Sequence, residues 1–448
     1  MTDELDLSKL TLEQKKEMIQ ELRKKKQSEL FHNDEEKWAH YAQFKNYPRY
    51  QEIKKLFDYW NGEGGTGLVL SYLKANDGVN CATSIVDGKE LINFGGYNYL
   101  NLSGHPDVKR KTIATIEKYG TSSSASRHVS GTKPIHLELE KNISAFLGTE
   151  GSIVFPSGYL TNASVIGYLM SAKDLIVHDI LSHNSIVAGS LLSPAHRLAF
   201  PHNDYKALEQ ILKGKRNDFE RVLIVVEGVY SMDGDIPNLP ELIRLKKKYG
   251  AWLMIDEAHS IGVIGKTGRG IAEYFSIDRS DIEVNMGTLS KSLGSCGGFI
   301  SGSNELMTFL HACPGFIFSA AITPSDTAAA LASLEIMQQE PERLANLQEN
   351  ARYFLSLCKA KGLNTSFSKD SAIVPVLTGD SLITFLLSQR LAERGINALP
   401  IGYPAVEKEA SRVRYFISTS HTKEQLQYTA ECTAEELNKL KKEIFGAR

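Results

Sequence analysis

The sequence predicts an α/β protein with a mostly parallel sheet covered on both faces, and three observations lead there. From about residue 61, short apolar runs ending in Gly, Ser or Asp alternate with longer stretches of helical periodicity. Strand, helix, strand repeated in this way is the pattern of a parallel sheet with crossover helices. Apolar residues make up 42% of the 448, enough to fill the core of one large or two packed domains.

In chain order, residues 1–60 are dense in charge. TLEQKKEMIQELRKKKQSEL opens with Thr11 three residues before Gln14, a capping-box spacing that predicts a helix with little to bury. The composition then changes through NGEGGTG. The strand candidates are 152–155, 175–179, 222–228, 252–258, 283–288 and 298–302. Between them, LPELIRLKKKYG (239–250) has helical apolar spacing, a basic end and a closing Gly. One long helical run over 323–362 leads into a second alternating region and a C-terminal helix. The expected division is a charged helical extension over 1–60, an N-terminal arm over 61–110, a large domain over 111–345 and a small α+β domain over 346–448.

Composition excludes several functions. Fifty-one Lys and Arg against 53 Asp and Glu leave a net charge of -2, so no global basic field exists to hold nucleic acid. Five scattered cysteines with no CxxC spacing argue against a disulfide framework and a metal site, and fit a reducing cytoplasm. The N-terminus lacks the pattern of a signal peptide, and no stretch approaches the roughly 20 apolar residues of a membrane span.

In open parallel sheets ligands bind outside the carboxyl ends of the strands. One predicted strand ends in Asp256-Glu257-Ala258-His259, and the next in GTLSKSLG, with Thr288 three residues before Lys291. Another ends in His178-Asp179 followed by Ser182-His183-Asn184-Ser185, and a fourth in EGVYSMDGD. A lysine, an acid, histidines and hydroxyls therefore converge on one edge. That set suits pyridoxal phosphate: the lysine forms a Schiff base, the carboxylate keeps the ring nitrogen protonated, and hydroxyls with backbone N–H groups hold the phosphate. GTGLVL and GKTGRG match neither nucleotide-loop pattern, and the second reads as a turn.

The ordered blocks YNYLNLSGHP (97–106), SRHVSGTKPIHLELE (126–140), PSGYLTN (156–162), DILSHNSI (179–186), EGVYSMDGD (227–235), DEAHSIGVIGKTGRG (256–270), GTLSKSLG (287–294) and SRVRYFISTSHT (411–422) resemble the α-oxoamine synthase family. The resemblance implies a fold-type I pyridoxal-phosphate transferase with a seven-stranded, mostly parallel sheet in the large domain. It implies that Lys291 binds the cofactor, that Asp256 pairs with its ring nitrogen and that His183 stacks on its face. Ser231 and His259 would lie near the phenolic oxygen. Gly158, Tyr159 and Thr288 would meet the phosphate, and FSAAITP (318–324), with Ser319, would complete the phosphate cup across a homodimer. Arg414 would pair with the amino-acid carboxylate, with Arg412 the competing choice. Tyr97 and Asn98 would line the substrate side, and the YNY pattern there is more similar to serine palmitoyltransferases than to glycine- or alanine-using members.

The implied reaction condenses a small amino acid (serine, alanine or glycine) with an acyl thioester, carried by coenzyme A or an acyl carrier protein, to give an α-amino ketone. The wording of the blocks also resembles members associated with polyketide assembly lines, and the charged N-terminal helix resembles their docking helices. An aminotransferase or aldolase on the same fold, and a non-catalytic partner subunit, are the competing readings.

Overall fold

A computed structural model of the chain describes residues 31, 33–60, 72 and 74–446. The chain divides into one unit over Met1–Leu70 and another over Ser71–Arg448. In the first, the Asn33 side chain accepts the Glu36 N–H at 2.8 Å and caps helix Asp34–Tyr41, whose first turn is acidic. A second helix, Pro48–Trp60, opens on proline, whose missing N–H costs nothing there. The helix expected from Thr11 and Gln14, and the NGEGGTG stretch, lie outside the described residues.

The second unit contains three sheets among its described residues. Strands β1 (Asn76–Asp77), β2 (Thr83–Val86) and β3 (Lys89–Asn93) form the first, joined in parallel by β12 (Ile396–Asn397), so the N-terminal arm and the C-terminal region share a sheet. The large sheet has β4 (Gly151–Phe155), β5 (Leu175–Asp179), β6 (His196–Phe200), β7 (Val222–Glu227), β8 (Trp252–Asp256), β9 (Val284–Thr288) and β10 (Gly298–Gly302), in the order β4-β10-β9-β8-β7-β5-β6. Strands β9, β8, β7, β5 and β6 run parallel, and β10 lies antiparallel to both its neighbours. Every residue of β7 is buried, and successive side chains enter opposite cores. Val222, Ile224 and Val226 join one, and Leu223 and Val225 the other.

The third sheet, β11 (Ile373–Leu377), β14 (Arg412–Phe416) and β13 (Leu399–Ile401), is antiparallel. Helix Ser381–Glu393 packs on β13 and β14 and against helix Lys423–Phe445.

Two sequence expectations are corrected. The run over 323–362 is two helices, Pro324–Gln339 and Glu342–Ala360, because Pro341 cannot continue the first. Strand β6 has no apolar run to betray it, since only Phe200 of its five residues is buried at this sheet edge. GKTGRG is a turn, in which the Glu273 carboxylate accepts the N–H groups of Thr267 and Arg269.

Candidate active site

The parallel strands deliver their last residues side by side. In register, Glu227 of β7 stands beside Asp256 of β8, which stands beside Met286 of β9. Past these ends the chain continues into His183 after β5 and Lys291 after β9.

Asp256 is buried and bonded on both oxygens. The Asn162 side-chain amide donates to Oδ2 at 2.7 Å and the Ala258 N–H to Oδ1 at 2.9 Å. Asn162 also donates to Ser185 Oγ at 2.9 Å, and Ser185 Oγ lies 2.7 Å from His183 Nδ1, so one chain of contacts links the acid to the histidine. The His183 N–H donates to Glu227 Oε1 at 2.6 Å. Burial lowers the His183 pKa, with Asp256 opposing it and Lys291 and Arg414 adding to it, so the ring is a neutral face. Burial also raises the Glu227 pKa well above the carboxylate range, helped by the charge of Asp256. Glu227 accepts the His183 backbone N–H from a buried position.

Lys291 Nζ lies 5.8 Å from the centroid of the Tyr97 ring. Burial lowers its pKa to about 8, although Asp256 and Glu227 pull the other way. A lowered pKa leaves a larger share of the amine free near neutral pH, as carbonyl addition requires.

At the phosphate end, helix Gly158–Leu169 points its N-terminus out of the sheet. The Ser157 hydroxyl accepts the Leu160 N–H at 3.1 Å, and the N–H groups of Gly158 and Tyr159 have no partner among the described residues. A Cβ on Gly158 would come 3.0 Å from Thr288 Oγ1, so glycine keeps this cradle open. Thr288 Oγ1 lies 2.8 Å from Ser290 Oγ, which adds a second hydroxyl.

On the remaining side, His259 is stacked parallel to Phe416 and its Nδ1 is 2.8 Å from the Tyr99 hydroxyl. Burial drives its pKa well below the usual imidazole value, and the charges of Lys291 and Arg414 push the same way. Arg412 and Arg414 share one face of β14 but differ in occupation. Arg412 is buried and salt-bridged to Asp233 at 2.6 Å. Arg414 lies 4.5 Å over the Phe416 ring and donates through Nη1 to the Ser231 carbonyl at 2.7 Å, with no carboxylate partner among the described residues. Burial lowers its pKa to about 10.

The structure therefore gathers Lys291, Asp256, His183, His259, Tyr97, Gly158, Tyr159, Thr288, Ser231 and Arg414 around one mouth. Ser231 takes part through its carbonyl. One candidate falls elsewhere. The Asn98 amide is spent on its own loop, donating to the Asn80 carbonyl and Ser103 and accepting the Leu102 N–H, so it organises the loop rather than facing substrate. Ser319, expected to act across a homodimer, donates to the Ala320 carbonyl within its own chain. Sequence reasoning passed over Asn162, Glu227, Tyr99 and Ser290. All four sit inside the quoted blocks, but only tertiary register shows what they touch.

Pyridoxal phosphate fits this donor set. Two unpaired N–H groups and two hydroxyls would hold the phosphate, the buried Asp256 carboxylate would meet the ring nitrogen, and Lys291, its pKa lowered to about 8, would supply the amine. Comparison with known proteins agrees. The family described as aminotransferase class I and II matches residues 89–432. An 8-amino-7-oxononanoate synthase of Thermosipho melanesiensis is 40% identical over 81% of this chain and 92% of its own length. A serine palmitoyltransferase of Bacteriovorax stolpii is 37% identical over 81% and 86%. Among solved structures, a serine palmitoyltransferase of S. paucimobilis with bound pyridoxal phosphate and myriocin superposes with a TM-score of 0.82 at 31% identity, covering 88% of this chain and 98% of that one. With its strand-end lysine, acid and glycine-opened phosphate cradle, the chain belongs to the pyridoxal-phosphate-dependent class I and II aminotransferase family, on the side of its α-oxoamine synthases.

Proposed function

We propose that this enzyme condenses a small amino acid with an acyl thioester, losing carbon dioxide and a thiol and releasing an α-amino ketone. The observation that carries this reading is the pairing of Lys291 and Asp256 at adjacent strand ends with an uncommitted arginine, Arg414, facing them from the small sheet.

When bound, pyridoxal phosphate supplies an electron sink for negative charge on the carbon bearing the amino group. Asp256, oriented by Asn162 and the Ala258 N–H, holds a proton on the ring nitrogen. Gly158, Tyr159, Thr288 and Ser290 would hold the phosphate, and His183 would cover one face of the ring. Arg414 binds the amino-acid carboxylate with the guanidinium edge that Ser231 leaves open. Lys291 removes the α-proton of the amino acid. The α-carbon then bonds to the thioester carbonyl carbon, the carbon–sulfur bond breaks, and the thiolate leaves, taking a proton from solvent. The bond to the carboxylate breaks next, carbon dioxide departs from Arg414, and Lys291 returns the proton it removed to the α-carbon.

Incubation with glycine, alanine or serine and an acyl-coenzyme A series, followed by mass spectrometry, tests this. An α-amino ketone with equimolar thiol is expected. A keto acid formed without thiol would assign the chain to the aminotransferases instead.

The finer partners rest on the sequence. A homodimer that shares its phosphate cup is supported by Phe318, 84% exposed, and by Ser319 beside it. Light scattering distinguishes dimer from monomer. Docking to an acyl carrier protein is supported by the charged segment LTLEQKKEMIQELRKKK, outside the described residues. Its removal should slow turnover of carrier-bound substrate and spare that of acyl-coenzyme A. No helix among the described residues is long and apolar enough to cross a membrane. The five cysteines are free thiols, which suits a reducing cytoplasm.

A further inference from the structure

His202, just beyond β6, is clamped between two carboxylates. Its Nδ1 is 3.0 Å from Asp179 Oδ1, at the end of β5, and its Nε2 is 3.0 Å from Asp235 Oδ2. Burial alone would lower the pKa of this ring, but the hydrogen bonds and charges of Asp179 and Asp235 push it up to about 10, so both nitrogens donate. Asn203 doubles the link, with its N–H on Asp179 at 3.0 Å and its amide on Asp235 Oδ2 at 2.7 Å. Asp235 Oδ1 is buried without a partner among the described residues, so the clamp acts through its other oxygen. Tyr230 stands edge-on to His202 with ring centroids 4.5 Å apart.

What this clamp fixes is the turn over 228–235. The turn is closed by the Gly234 N–H on the Tyr230 carbonyl at 2.8 Å and the Tyr230 N–H on the Asp235 carbonyl at 3.0 Å. Its other side meets the small sheet. Ser231 and Met232 carbonyls accept from Arg414 at 2.7 Å and Arg412 at 3.0 Å respectively, and Asp233 takes the Arg412 salt bridge. Gly234, at φ +69°, has no room for a Cβ against the Ile373 carbonyl of β11. Ser371 donates to the Gly234 carbonyl at 2.6 Å and Ser366 to Asp233 at 2.6 Å. The turn is therefore the piece through which the large sheet reaches Arg414.

We propose that His202 is a positioning residue for the amino-acid substrate: by holding Asp235 to Asp179 it fixes the Ser231 carbonyl, and through it the aim of Arg414. This rests on the reading of Arg414 as the carboxylate partner. The holoenzyme should be assayed as wild type, His202→Gln, Asp235→Asn, Arg414→Lys and His202→Gln combined with Arg414→Lys. Each is titrated with the preferred amino acid, following the visible cofactor band for Kd and turnover for kcat and KM.

The expected result for His202→Gln is a rise in Kd and KM of about tenfold with kcat within about threefold, a smaller rise for Asp235→Asn, and little further rise in the Arg414→Lys background. Unchanged Kd in His202→Gln, or an equal loss with and without Arg414→Lys, would overturn the proposal. If Arg414→Lys itself leaves Kd unchanged, it is the reading of Arg414 that fails. Should His202→Gln not fold, Asp235→Asn carries the same comparison, alone and with Arg414→Lys.

Discussion

The strand ends of the large sheet and strand β14 of the small sheet each present a cation to the same mouth, and they position it by different means. Lys291 is placed by topology: it follows β9, whose neighbour β8 ends in Asp256, and parallel order alone brings the two together. Arg414 is placed by contact between sheets, through the Ser231 carbonyl on a turn that belongs to the other sheet. Its neighbour Arg412, on the same face of β14, is consumed by Asp233. Groups fixed by strand order should therefore govern the chemical steps, and the group fixed by inter-sheet contact should govern how the amino acid is held.

The sharpest way to break this comparison is Lys291→Ala. It should lower kcat by about 10³-fold or more, because both the attachment point and the proton carrier are lost. Asp256→Asn comes next. With no negative charge to keep the ring nitrogen protonated, kcat should fall about 10²-fold or more while Kd for the amino acid changes little. Arg414→Lys should show the reverse split, raising KM by about 10- to 100-fold with a smaller change in kcat. An equal fall in kcat for Arg414→Lys would erase the distinction between the two regions. Asn162→Ala, which frees Asp256 Oδ2 and Ser185 together, should cost about tenfold in kcat.

The smallest effect is in pH. Because burial lowers Lys291 to about 8, the amine is neutral above that value and charged below it. Attachment of pyridoxal phosphate to the cofactor-free enzyme should therefore accelerate as pH rises and level off just above about 8, as stopped-flow absorbance would show. Continued acceleration toward the ordinary lysine range would mean an exposed, unperturbed amine.

The same contrast explains how much was legible in the sequence. Strands such as β5 and β7 announce themselves as apolar runs because both faces are buried, and a residue at the end of such a run has a known location. Asp256, Lys291 and His183 could thus be read directly. Strand β6 could not, because an edge strand with one buried side chain has no apolar pattern to display. Nor could periodicity choose between Arg412 and Arg414, since residues two apart on a strand share a face. Asp233, from a segment roughly 180 residues earlier in the chain, pairs with Arg412 and leaves Arg414 without a carboxylate among the described residues. Asn98 misled for a related reason. Its block resembles a substrate-facing segment, but an Asn whose carbonyl accepts backbone N–H groups and whose amide meets nearby carbonyls is a loop organiser, and that accounting needs coordinates. Glu227 and Asn162 take their roles from register and helix placement, which no local pattern encodes.

The most direct test of the central claim, that the mouth of the large sheet holds the cofactor on Lys291, is borohydride reduction of the enzyme loaded with pyridoxal phosphate, followed by peptide mass spectrometry. The account predicts one phosphopyridoxyl group per chain, on the peptide carrying GTLSKSLG and localised to Lys291. An unmodified Lys291, or the label on another lysine, would contradict it.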